Sequence, residues 1–270
     1  MDLQLHGKRA LVTGSSKGIG EAIARFLAAE MAVVLVHGRD RDATRQVAES
    51  ITQHGGQAYP VIGDLTDDSA VDHLIAEAEA AVGSIDILVN NAGGSGPKDT
   101  WAITQPTAWA EAYDRNVLAA VRVTTRVLPK MRQARWGRVI NISSLAGAMP
   151  PAVGPDYSAC KAAMNAMTLS LAKAVAAEGV TVNAISPGTI RSSKLEDAFR
   201  RSASEQGVGG PETSWRQIEE AILPTIAQVP LGRVGELNEL ASAVAFLASP
   251  LAAYITGVNL RIDGGISPSL

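Results

Sequence analysis

The chain has a single cysteine, few aromatic residues (4%), little net charge and no apolar run approaching the roughly 20 residues that span a bilayer. One thiol excludes a disulfide framework and any thiolate metal cluster. Twenty-four Lys and Arg against 27 Asp and Glu leave a formal charge of −3, so there is no basic field to hold nucleic acid or an anionic membrane surface. The residues Met1-Asp2-Leu3-Gln4-Leu5-His6-Gly7-Lys8-Arg9 lack the apolar run of a secretory signal, and the expectation is a cytoplasmic protein. His6, His37, His54 and His73 are scattered without ligand spacing, so no metal site is expected. Asn141-Ile142-Ser143 matches a glycosylation sequon, but its apolar surroundings mark the match as accidental. What the chain does have is 46% apolar residues and only 19% charged ones over 270 residues, enough to fill one large domain spanning 1–270 with Ala, Val, Ile and Leu.

Seven short Val/Ile/Leu-rich runs, at 9–13, 33–36, 58–62, 85–90, 138–142, 180–185 and 259–262, alternate with longer helical patterns. Helix punctuation falls between them: Asp40 opens one helix and Gly55 closes it, Thr66 and Gly83 bracket another, and Gly179 ends a third. Such alternation predicts an α/β fold, a doubly wound seven-stranded parallel sheet with helices on both faces, because parallel neighbours need a helical crossover. Pro60 lacks a backbone N–H, which predicts that the third strand is an edge. The segment 189–230 departs from the alternation: Arg200-Arg201 and Gly207-Val208-Gly209-Gly210-Pro211 interrupt two short helical stretches, a pattern that suggests a substrate lid.

Directly after the first strand, Thr13-Gly14-Ser15-Ser16-Lys17-Gly18-Ile19-Gly20 leads into an amphipathic helix over 19–29. Glycines there let the backbone approach a pyrophosphate, and the helix N-terminus offers free N–H groups and partial positive charge. The same turn also serves as a plain tight connection, and it is not a P-loop, since no GK[ST] sequence follows at the required spacing. The second strand ends Val36-His37-Gly38-Arg39, with no carboxylate to accept from an adenosine 2′-hydroxyl. Arg39 and Lys17 instead supply cations for a 2′-phosphate, which predicts NADP(H) over NAD(H); Asp40 beside Arg39 leaves open the reading of ordinary solvated charges.

Tyr157-Ser158-Ala159-Cys160-Lys161 puts a phenol and an ammonium four residues apart, on one face of an Ala-rich helix running to about Ala177. A nearby cation lowers the pKa of a phenol from its usual value of about 10. Ser143-Ser144 closes the fifth strand, where open α/β sheets bind ligands. Cys160 is expected to act as a small buried hydrophobe.

These motifs arrive in an order that resembles the short-chain dehydrogenase/reductase family, from about Gly7 to Gly265. The resemblance is carried by the Thr13–Gly20 turn, Asp64-Leu65, Asn90-Asn91-Ala92-Gly93, Asn116, Ser144, Tyr157, Lys161, Pro187-Gly188 and Asp263-Gly264-Gly265. It implies a Rossmann-type fold and a catalytic tetrad of Asn116, Ser144, Tyr157 and Lys161. Tyr157 would exchange the proton, Ser144 hold the reacting oxygen, Lys161 hold the nicotinamide ribose and tune Tyr157, and Asn116 anchor a relay water. The cofactor would contact Gly14, Ser16, Lys17, Gly18, Ile19 and Gly20, then Arg39, Asp64 and Leu65, then Asn91, Ala92 and Gly93, and finally Tyr157, Lys161, Pro187, Gly188, Ile190 and Ser192. Met31 stands where the family often has glycine, and Ser192 where it often has threonine. The pattern is similar to the bacterial 3-oxoacyl-thioester reductase branch, and implies an NADPH-dependent reduction of a ketone in a homotetramer or homodimer. The alternatives left open are an NAD-linked dehydrogenase of alcohols, sugars or hydroxysteroids, and a dinucleotide-sensing protein without chemistry. For the substrate pocket the sequence offers Gly94-Ser95-Gly96-Pro97, Trp101, Phe199, Trp215 and Ile218.

Overall fold

The computed structural model describes residues 2–96, 99–210 and 212–268. All seven expected strands are present: β1 (Arg9–Val12), β2 (Val33–Gly38), β3 (Gln57–Ile62), β4 (Ile87–Asn90), β5 (Gly137–Ile142), β6 (Val180–Pro187) and β7 (Asn259–Ile262). They form one parallel sheet in the order β3-β2-β1-β4-β5-β6-β7. The order reverses between β1 and β4, and the crevice for a ligand opens outside the carboxyl ends of those two strands. β3 is an edge, with Pro60 opposite Val36, as the missing N–H requires. Strand alternation divides the interior. Ala10, Val12, Val34 and Val36 face a core shared with α1 (Gly18–Ala29) and α9 (Leu237–Ala248). Leu11, Leu35 and Leu88 face a second core covered by α3 (Asp68–Val82) and α5 (Ala119–Ala134). Each fully buried Leu or Ile there contributes about 1.5–3 kcal/mol, so helices on both faces are obligatory for this composition.

Helix ends follow the punctuation with one correction. Asp40 caps α2 (Arg41–Gln53) by accepting from Asp42 N and Ala43 N, and Gly83 and Gly179 end their helices with positive φ. Thr66 does not cap α3. Asp67 does, accepting from Ala70 N at 2.9 Å, while Thr66 gives its N–H and hydroxyl to Asp64. A carboxylate is a stronger acceptor than a hydroxyl for the exposed first-turn N–H groups, so it takes the cap. β4 starts two residues later than expected, because Asp86 turns its carboxylate to Arg9 at the amino edge of the sheet. The sequon is buried: Asn141 accepts from Asn90 and donates to Thr168 inside the sheet.

The irregular excursion is better ordered than its composition suggests. α7 (Ser193–Glu205) and α8 (Trp215–Ile226) enclose a small core of their own, built from Phe199, Ala203, Ile218, Ile222, Leu223 and Val234. Pro211 and Pro97 lie outside the described residues. Among the described residues no helix is long and apolar enough to cross a membrane.

Candidate active site

Two loops meet at the carboxyl ends of β1 and β4. Gly14 adopts φ +64°, and a Cβ there would stand 2.9 Å from Ala92 Cα, so only glycine lets the loops touch. Thr13 Oγ1 donates to Val89 O and accepts from the N–H groups of Asn91 and Ala92, each at 3.0 Å. The Asn91 amide donates to the carbonyls of Thr13 and Gly14 at 2.9 and 3.0 Å. α1 begins just past Lys17, and no side chain accepts its first N–H groups. A helix start of this kind presents unspent donors and positive potential to an anion.

The loops enclose a cavity of about 450 Å³ that unites Gly14, Ser16, Lys17, Arg39, Asp64, Leu65, Asn91, Ala92 and Gly93. Nine of the predicted cofactor residues, from four separate strand ends, thus share one space. Arg39 is 74% exposed and lies 3.7 Å from Asp64, an ion pair too open to hold it strongly. Lys17 is exposed as well. Both cations can therefore turn to a phosphate, and this donor set fits a phosphorylated dinucleotide. Seven further lining residues were not among the expected cofactor contacts: Gly38, Thr66, Ala119, His37, Glu111, Asp114 and Arg115. The last three precede Asn116 in the chain, the one signal that pointed toward them.

The remaining predicted cofactor residues lie outside that cavity lining and have packing tasks of their own. Gly18 adopts φ +61° with open space before it, and a side chain on Gly20 would collide with the Gly14 carbonyl. Pro187 ends β6, and a Cβ on Gly188 would meet Asp263 Cα at 2.8 Å. Ile190 is buried and bridges to Gly235. The Ser192 hydroxyl accepts from Leu195 N at 3.2 Å as the cap of α7, leaving its proton to donate.

At the end of β5 the chain makes one short turn at 145–147, where Gly147 presses on the Lys161 backbone, and then enters α6 (Pro155–Val175). Tyr157 and Lys161 occupy successive turns of α6. Burial pushes the Tyr157 phenol above its ordinary pKa, and the neighbouring Ser144 hydroxyl works against that rise. The expectation that Lys161 lowers this value is corrected. Lys161 Nζ sits 5.5 Å from the Tyr157 ring centroid and donates to Ile142 O at 2.8 Å, and desolvation dominates the phenol. The buried ammonium is itself pulled down to about 8 by desolvation. Tyr157 is thus a neutral hydroxyl at ordinary pH, suited to donate a proton, with the Ser144 hydroxyl beside it.

Asn116 lies in a single π-helical turn, Asp114–Leu118, between α4 (Pro106–Tyr113) and α5. Its amide is tied at both ends: Oδ1 accepts from Gly94 N at 2.9 Å, and Nδ2 donates to the carbonyls of Ala112 and Gly94. The side chain clamps the loop after β4. Cys160 is buried, and burial raises its thiol pKa, in keeping with a structural role. Among the described residues, Phe199, Trp215 and Ile218 pack together, the two rings 5.5 Å apart, while Trp101 stands apart from them. Phe199 is 1% exposed inside the excursion's own core with Ile218, whereas Trp101 is 71% exposed and stacks on Trp109 at 5.1 Å. Within the described residues no cluster of three or more acidic, His or Cys groups is placed to hold a metal.

Residues 8–203 match the short chain dehydrogenase family. The chain is 35% identical over 265 residues to the 3-oxoacyl-[acyl-carrier-protein] reductase of Pseudomonas aeruginosa, spanning 98% of this chain and 99% of that one. The corresponding reductase of Vibrio cholerae is 36% identical over 266 residues, with the same coverage. L-Sorbose reductase from Gluconobacter frateurii, solved with NADPH and L-sorbose, superposes with a TM-score of 0.91 at 30% identity and full coverage of both chains. A 3-oxoacyl (acyl-carrier-protein) reductase from Agrobacterium tumefaciens, solved with NADP, gives 0.84 at 34% identity over 98% of this chain and 96% of that one. With the strand order, the glycine turn and the Ser-Tyr-Lys geometry in hand, the chain belongs to the short chain dehydrogenase family and is an oxidoreductase.

Proposed function

We propose that this protein is an NADPH-dependent reductase that converts a ketone, such as a 3-oxoacyl thioester or a similar small carbonyl compound, to a secondary alcohol. The observation that carries the reading is the juxtaposition of Ser144, a neutral Tyr157 and a buried Lys161 at the sheet edge that also holds the Lys17 and Arg39 cavity. The solved relatives with NADPH or NADP support the cofactor. Bound NADPH would supply the hydride. Gly14, Ser16 and the open start of α1 would bind the pyrophosphate, Lys17 and Arg39 the 2′-phosphate, and Asp64 and Leu65 the adenine. Pro187, Gly188, Ile190 and Ser192 would flank the nicotinamide, with the free Ser192 proton available to its carboxamide.

Tyr157 Oη gives its proton to the carbonyl oxygen as that oxygen gains charge, and Ser144 Oγ donates a hydrogen bond to the same atom. Lys161 lies one helical turn away, positioned to hold the ribose. Asn116 clamps the loop after β4 and would anchor the relay water.

Chain 1–270 is read as one unit in which α7 and α8 form the substrate lid. Exposed Leu118 at the end of the π-helical turn, Val121 on α5 and Leu169 on α6 support burial of that face in a homodimer or homotetramer. A cytoplasmic location agrees with this chemistry. The test is NADPH consumption over β-ketoesters, acyl-thioester mimics, diketones, quinones, keto-sugars and steroids, with NADH in parallel. Turnover of ketones with NADPH preferred is the expected result. Tight dinucleotide binding without turnover of any substrate would turn the reading to a sensor, and preference for NADH would overturn the cofactor assignment.

A further inference from the structure

His37, the penultimate residue of β2, is 2% exposed and forms part of the wall of the dinucleotide cavity. Its ring joins two loops. Nδ1 accepts from Gly14 N at 3.0 Å, and Nε2 lies 3.1 Å from Gly63 O. A backbone N–H can only donate and a carbonyl can only accept, so both bonds form together only on a neutral imidazole carrying its proton on Nε2. The backbone of the same residue is tied to the turn as well. Its N–H donates to Ser15 Oγ at 2.9 Å, its carbonyl accepts from Ser15 N at 2.8 Å, and Ser15 Oγ in turn donates to Val12 O at 2.7 Å. Every polar group of His37 is thus spent on Gly14, Ser15 or Gly63. Gly14 is the positive-φ hinge of the phosphate turn, and Gly63 immediately precedes Asp64 and Leu65, the far wall of the cavity. The imidazole therefore sets the spacing between the phosphate turn and the adenine wall.

We propose that His37 is a positioning residue for the dinucleotide, its neutral ring bracing Gly14 against Gly63 so that the phosphate turn stays poised for binding. The inference rests on reading this cavity as the NADPH site. The nearest charged groups, Asp64 and Arg39, act on the ring with opposite sign, and burial outweighs both, keeping it uncharged.

Two variants separate bracing from bulk. In His37→Asn the amide oxygen can stand near the Nδ1 position and keep the Gly14 acceptor, whereas His37→Leu keeps volume and removes both bonds. Kd for NADPH is measured by fluorescence titration, and KM for NADPH and for the best ketone by steady-state kinetics. The expected result is a Kd and KM for NADPH raised about 10-fold or more in His37→Leu and by an intermediate factor of about threefold in His37→Asn, which keeps the Gly14 bond and loses the one to Gly63, with the ketone KM moved less than twofold. Equal Kd in wild type and His37→Leu, or equal weakening in both variants, overturns the inference, the latter marking a merely structural site. Should His37→Leu not fold, nitrogen-15 NMR of the wild-type imidazole decides: a proton on Nε2 with an accepting Nδ1 that persists through NADPH titration supports the brace, and a proton on Nδ1 overturns it. Failure of wild type itself to bind NADPH would instead refute the cofactor reading.

Discussion

Lys161 Nζ stands 5.5 Å from the centre of the Tyr157 ring while giving a hydrogen bond to Ile142 O at 2.8 Å. The ammonium is held by the end of β5, beside the phenol but not bonded to it. Burial moves the two pKa values apart, the phenol up and the ammonium down to about 8, so the lysine titrates first. Acid and base tasks are thus set by depth in the fold as well as by residue type.

Tyr157→Phe is expected to lower kcat by at least about 10³-fold with NADPH still bound, since only the proton donor is lost. Stopped-flow or steady-state turnover with an NADPH titration checks both halves. Wild-type kcat/KM should fall above about pH 8 as Lys161 loses its charge, because the phenol, raised by burial, ionises later.

Lys161→Met should abolish turnover yet stabilise the fold. The lysine's pKa falls from 10.5 in the unfolded chain to about 8 in the folded one, so at pH 7 holding the buried charge costs about 3 kcal/mol. Losing the bond to Ile142 O offsets part of this, leaving a gain of about 1–2 kcal/mol in urea unfolding at pH 7. The gain should shrink as pH rises from 8 to 10.5, where the wild-type lysine folds without its charge.

On the proposed pairing of its guanidinium with the 2′-phosphate, Arg39→Ala should raise KM for NADPH about 10- to 100-fold and leave KM for NADH within about threefold. Dual-cofactor kinetics measure the ratio. An equal loss with both cofactors would mean that Arg39 stacks on adenine.

Met31 holds φ +63° and is 61% exposed, a left-handed position after α1 that a Cβ makes strained. Met31→Gly relieves about 1 kcal/mol of strain and adds flexibility to the unfolded chain, so a net gain of a few tenths of a kcal/mol in urea unfolding is expected. The family's frequent glycine there has a conformational cause.

His37 has its pKa lowered from 6.5 to about 4 by burial. The unfolded chain binds that proton first, so stability is complete above pH 6.5 and is lost, by about 3 kcal/mol, as pH falls to 4. Aspartates 64, 67, 68 and 72, each held below the ordinary carboxylate range by hydrogen bonds, also lose stability as they are protonated in acid. The difference between wild type and His37→Asn across pH 4–6.5 isolates the imidazole.

The parallel sheet, its edge at Pro60, the glycine turn and the Tyr157–Lys161 pair were legible in the sequence because each is written in residues close together along the chain. Strand periodicity, a missing N–H and a four-residue helical spacing are local physics. What the linear order did not carry is which group lies deep and which partner reaches it from afar. Asp67 replaced Thr66 as a cap through a local competition between acceptors. Phe199 and Ile218 turned inward because α7 and α8 needed a core, and Trp101 was left outside. Asn116 spent its amide on Gly94, and His37 found Gly14 and Gly63 only once three strand ends converged. Desolvation depends on everything packed around a group, so the charge states of Tyr157, Lys161 and His37 were decided by the tertiary structure, while their identities and spacing were decided by the sequence.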